Sequence, residues 1–82
     1  MITYDIITNY EFTPQDRKDF NNAINKDGDY LLIWLHIFNV GGFFTFESMH
    51  YDSEQEQDAY DNGMLFIDKD SAAELFERIY QD

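Results

Sequence analysis

Tyr30-Leu-Leu-Ile-Trp-Leu-His-Ile-Phe38, then Asn39-Val-Gly-Gly42, then Phe43-Phe-Thr-Phe-Glu-Ser-Met-His-Tyr51 is the stretch that decides the fold. The first run is built of residues that suit a pleated, half-buried surface, and it closes on Gly41-Gly42, so the pattern predicts a β-hairpin with a glycine turn. Successive strand side chains point to opposite faces. Leu31, Ile33, Leu35 and Ile37 therefore share a purely aliphatic face that continues into Phe44, Phe46 and Ser48. Tyr30, Leu32, Trp34, His36 and Phe38 share the other, which continues into Phe43, Thr45, Glu47, Met49 and Tyr51. A turn of two or of four residues gives the same partition, because both keep the pairing sum odd. The aliphatic face is expected to lie under the helices. The aromatic face is expected to be a second small core, a homodimer surface or a binding surface with polar handles.

Outward from the hairpin, residues 1–8 alternate Ile2, Tyr4 and Ile6 against Thr3, Asp5 and Ile7, the pattern of a half-buried strand. Thr13-Pro14-Gln15-Asp16 reads as a helix start, with Thr13 as N-cap, Pro14 in the first turn and Asp16 near the positive end of the helix dipole. That helix should run to about residue 25 with Phe20, Ala23 and Ile24 buried. Residues 51–63 are polar and acidic, and read as an exposed loop with room for a helical turn after Ser53; the pattern leaves 52–61 open between extended and helical. Residues 64–68 are a short apolar run and so a strand. Asp70-Ser71 open a final helix, with Ser71 and Glu74 at capping-box spacing and Ala72, Leu75, Phe76, Ile79 and Tyr80 as its apolar stripe. The expected order is β-α-β-β-β-α: an α+β fold with a four-stranded, mainly antiparallel sheet and two helices packed on one face.

The chain has 82 residues, one domain's worth, and no cysteine, so its stability must come from its fifteen aromatic residues and the aliphatic face. Its N-terminus lacks a basic segment followed by an apolar one, and no apolar run approaches the roughly 20 residues needed to cross a bilayer. The expectation is a soluble, unprocessed, cytoplasmic protein.

Charge is the strongest functional signal. Seventeen acids stand against five Lys and Arg, a net charge of −12. Such a balance disfavours nucleic acid or an anionic membrane as a direct partner and favours a basic protein. Arg17, Lys18 and Lys26 precede the hairpin and Lys69 and Arg78 follow it, so no Lys or Arg lies between Asp27 and Asp68. Within that interval Asp52, Glu54, Glu56 and Asp58 alternate. In an extended backbone alternate carboxylates recur about every 6.6–6.8 Å on one side. A row of that kind, with Asp27, Asp29, Glu47 and Asp61 nearby, resembles a run of phosphates and suits an Arg/Lys groove. In a helix the row would disappear. Trp34 and Tyr51, with the other rings of the aromatic face, would supply contact area of the kind found at interface centres.

No catalytic, metal or cofactor motif accompanies these features. Asp52, Glu54, Glu56 and Asp58 match positions 1, 3, 5 and 7 of a calcium loop, but Gln57 stands where that loop needs glycine and Gly63 where it needs glutamate. His36 and His50 are expected on opposite faces, which separates them as ligands. His36 could sit across from Glu47, a pair without a nucleophile or an oxyanion site. The protein is read as non-enzymatic.

In length, net charge, its Lys/Arg-free middle and the alternating acids of Asp52-Ser-Glu-Gln-Glu-Gln-Asp58, the chain resembles the small acidic inhibitors that phages and mobile elements encode against nucleic-acid-binding defence enzymes, the DNA-mimic anti-CRISPR and anti-restriction proteins. The resemblance is one of class and covers no alignable motif. It implies a stoichiometric inhibitor, acting in the host cytoplasm, whose carboxylates take the place of phosphates in the basic groove of a CRISPR effector or nuclease. An immunity protein against a basic nuclease toxin would use the same physics. A homodimer or interaction module built on the aromatic face would instead be insensitive to salt.

Overall fold

The computed structural model describes residues 12–38 and 41–80. In chain order they form α1 (Pro14–Ile24), β1 (Tyr30–Phe38), β2 (Gly41–Met49), α2 (Ser53–Asp61), β3 (Leu65–Asp68) and α3 (Lys69–Tyr80). The three strands make one antiparallel sheet in the order β2-β1-β3. This corrects the expected four-stranded, two-helix architecture: the described residues hold three strands and three helices. The strand expected over residues 1–8 lies outside them.

Register places Trp34 opposite Thr45, Leu35 opposite Phe44 and Ile37 opposite Gly42, so Gly41 and Gly42 are strand residues and the connection is 39–40, outside the described residues. The odd pairing sum holds, and with it the partition of faces. β1 is the central strand, paired on both sides over Tyr30 to Ile33, where Leu31, Leu32 and Ile33 are all buried.

Leu31, Ile33, Phe44 and Ile67 on the aliphatic face form the main core with Phe20 and Ala23 of α1 and Ala72 and Leu75 of α3. Phe20 is its hub: its ring stacks on Phe46 at 4.7 Å and meets Phe76 edge-on at 5.3 Å, tying α1 to the sheet and to α3. α1 begins in a capping box in which Asp16 N donates to Thr13 Oγ1 and Thr13 N donates to Asp16 Oδ2, both at 3.1 Å. α3 follows β3 without a loop. Asp68 caps it, accepting from Ser71 N (2.8 Å) and Ser71 Oγ (3.1 Å), so Ser71 is the capped residue and not the cap expected from its spacing to Glu74.

The segment expected as an acidic loop is α2. Asp52 caps it, accepting from Glu54 N (2.8 Å) and Gln55 N (3.4 Å), and Glu54 and Glu56 stand in its first turn, where the dipole favours acids. It ends in a Schellman motif, with Met64 N donating to Ala59 O (2.8 Å), Gly63 N to Tyr60 O (3.5 Å), and Gly63 in the left-handed region at φ 71°. Ala59 is its one buried side chain. α2 lies against β3 beside Phe66, on the aromatic side of the sheet, and shares a groove with it lined by Glu56, Ala59, Tyr60, Met64 and Phe66.

One lysine closes the core side. Lys69 Nζ lies 3.4 Å from Ile24 O, 3.0 Å from Lys26 O, 3.1 Å from Gly28 O and 2.7 Å from Ser48 Oγ, while Ser48 Oγ donates to Asp27 O at 2.7 Å. The ammonium thus serves Ile24 O at the end of α1 and two carbonyls of the turn that follows. Gly28 makes the close approach possible: its φ is +127°, and a Cβ there would stand 2.7 Å from Met49 O.

Candidate functional site

The aromatic face is neither wholly core nor wholly open. At the end carrying Tyr30, the Tyr30 ring stacks on Phe66 at 4.8 Å and packs on Tyr51 at 5.0 Å, and Leu32 is buried. α2 flanks this end, fixed by Tyr51 Oη donating to Glu56 Oε1 at 3.0 Å. Donation to that carboxylate, and its charge, raise the Tyr51 pKa above the usual value. Toward the other end the rings are partly exposed. Trp34 and Phe43 are 42% and 43% exposed, with His36 between them, 4.1 Å from the Trp34 ring and stacked on Phe43 at 4.5 Å. His36 Nε2 lies 3.0 Å from Thr45 Oγ1 and opposite Phe43 in the ladder. Glu47 faces Leu32, so the expected His36–Glu47 pair is not formed.

The acids expected to act together divide into groups. Asp27 and Asp29 flank His50, each with a carboxylate oxygen 3.7 Å from an imidazole nitrogen, and Asp29 Oδ1 also accepts Tyr51 N at 2.9 Å. Asp52 follows directly as the α2 cap. These groups gather at the sheet end where Tyr30 pairs with Met49 and Asp68. The alternating row Asp52, Glu54, Glu56, Asp58 does not exist, because a helix turns residues two apart to different sides. Glu56 turns toward Tyr51. Glu54, Asp58 and Asp61, at i, i+4 and i+7, instead share a solvent-facing stripe, spaced along the axis by about 6 Å and 4.5 Å. All three are exposed. Glu47 stands exposed on the outer face of β2, on the same side as Trp34.

The fold places the five Lys and Arg on or beside the two helices of the aliphatic side. Arg17 and Lys18 are on α1, Lys26 is just past its end, and Lys69 and Arg78 are on α3. Both of these helices cover the aliphatic face. The opposite layer, made of α2 and the aromatic face, carries Glu47, Glu54, Glu56, Asp58 and Asp61 and no lysine or arginine. Acids also lie on α1 and α3, but there they are interleaved with the cations.

The Asp27–His50–Asp29 grouping, which the hairpin register assembles from residues more than twenty apart, and the α2 stripe are both absent from the sequence expectations. The Asn62-Gly63 pair, a common helix terminator, was the available signal for the latter. Among the described residues no group of three or more His, Cys, Asp or Glu could hold a metal ion, and no helix is long and apolar enough to cross a membrane. No family model matches the chain, and no curated protein or solved structure matches it.

Proposed function

We propose that this protein is a non-enzymatic acidic inhibitor that occupies the basic nucleic-acid-binding groove of a host defence protein, a CRISPR effector or restriction nuclease, in the host cytoplasm. The observation that carries the reading is the segregation of charge: all five Lys and Arg belong to the layer of α1 and α3, and the layer of α2 and the aromatic face has none. A surface of one sign steers a cationic groove toward itself and repels competing polyanions.

The carboxylates that take the place of phosphates are Glu54, Asp58 and Asp61 along α2, with Asp27, Asp29 and Asp52 at the end of the sheet and Glu47 on its face. Trp34 supplies apolar contact within the same layer. A rigid helix suits this role better than a loop, because its charges are held in place before binding and little ordering entropy is lost.

The test is competition. The protein is titrated into complexes of labelled DNA or guide-loaded RNA with a panel of nucleases and CRISPR effectors, at low and at high salt. Displacement at low salt that weakens steeply as salt rises is expected. A panel in which no nucleic acid is displaced and no salt-sensitive association is detected contradicts the reading.

A further inference from the structure

The partly exposed half of the aromatic face offers a more specific chemistry than negative charge. Resting on the reading above, we infer that it is a seat for an arginine of the cationic partner, whose guanidinium stacks on Trp34 and pairs with the Glu47 carboxylate. Trp34 is 42% exposed: the pairing of β1 with β3 ends at Ile33, and α2 flanks the Tyr30 end of the face. Its ring is held in place by His36 at 4.1 Å, which Thr45 fixes in turn through a 3.0 Å contact. Glu47 lies one step along the same face of β2 from Thr45, the residue opposite Trp34, and so stands diagonal to the indole, within reach of a long side chain.

An indole beside a carboxylate selects arginine over lysine. The guanidinium is planar and weakly hydrated, stacks on aromatic rings and pairs with a carboxylate through two parallel N–H bonds, whereas an ammonium keeps its water more strongly. Complementarity of charge names a cationic occupant, since this layer holds no lysine or arginine to pair with Glu47. A second copy fits poorly. A two-fold pairing of this face would bring together two surfaces that lack cations, on chains of net charge −12 each.

Trp34 is the only tryptophan, so its fluorescence reports the seat directly. Oligoarginine and oligolysine peptides of equal length are titrated into the full chain at about 0.1 M salt, where the Debye length is about 10 Å, and followed by emission and by calorimetry. Both peptides are expected to bind, oligoarginine about threefold to tenfold more tightly, and oligoarginine alone is expected to shift Trp34 emission. Glu47→Gln is expected to remove most of the arginine preference, whereas Asp61→Asn, which removes the same charge from α2, weakens both peptides alike. Equal affinities, or tight oligoarginine binding with unchanged Trp34 emission, would overturn the arginine seat and leave the cationic-groove reading standing. Failure of both peptides to bind overturns both.

Discussion

Replacing Lys69 with methionine removes the ammonium and keeps a side chain of similar length. The ammonium has three N–H groups for four neighbouring acceptors, and the three shortest contacts are Ser48 Oγ (2.7 Å), Lys26 O (3.0 Å) and Gly28 O (3.1 Å). The Lys26 contact is exposed, so water can replace it in the variant, but those to Gly28 O and Ser48 Oγ are partly buried. At about 1.5 kcal/mol for each partly buried charged bond, the low end for a charged donor, Lys69→Met is expected to cost about 3 kcal/mol. For a domain of this size that is a fall in Tm of about 10–20 °C, read by circular dichroism and checked by urea titration. Lys69→Arg should recover only part of it, because a planar fork does not converge on three acceptors as an ammonium does. Ser48→Ala should be strongly non-additive with Lys69→Met, since both act on one network. A loss below about 0.5 kcal/mol, the size of an ordinary surface change, would refute the view that this ammonium locks the exit of α1.

Three further outcomes follow from local geometry. Gly28→Ala combines a φ of +127° with a Cβ 2.7 Å from Met49 O, so it should lower stability by about 2–4 kcal/mol in a urea titration, with the loss persisting in the Lys69→Met background. Asp52→Ala removes the α2 cap and should cost about 1 kcal/mol, with hydrogen exchange accelerated in residues 53–61 and unchanged in β1. The Asp68 carboxyl is held below the usual range chiefly by Ser71 N–H, with the Ser71 hydroxyl adding to it. A lowered folded pKa stabilises above the unfolded value and is lost as pH falls through the folded one. The stability difference between wild type and Asp68→Asn should therefore be constant above about pH 5 and shrink once pH drops below the ordinary value of 3.8.

The hairpin faces were legible because parity does not depend on turn length. Leu31, Ile33, Phe44 and Phe46 were expected on the helix side and lie there, although the glycines expected in the turn are strand residues. α1 was legible because Thr13, Pro14 and Asp16 each favour the same start, and Phe20 and Ala23 supply its buried face. α2 was not. Its one buried side chain is an alanine, its ends rely on Asp52 and Gly63, and a helix without an apolar stripe gives no periodic signal. The alternating row of acids belongs to the extended form alone, since Glu54 and Glu56 share a side only in an extended chain. The Lys69 network was illegible for another reason: it joins residues 21 to 45 positions apart, through backbone atoms that have no residue signature. What survived the change of secondary structure is the gap in Lys and Arg, because the elements between Asp27 and Asp68 include all of α2, β1 and β2, whichever conformation residues 53–61 take.

The central claim is that one layer of the molecule, and not net charge alone, engages the cationic partner. Two variants separate these directly: Glu54→Gln with Asp58→Asn and Asp61→Asn on α2, and Asp19→Asn with Glu74→Gln and Glu77→Gln on α1 and α3. All six side chains are exposed, and each triple removes the same charge. Measured against a basic nuclease that the wild type inhibits, the α2 triple should weaken binding by at least roughly tenfold and flatten its salt dependence, while the other triple stays within about twofold. Equal losses from the two triples would contradict the account.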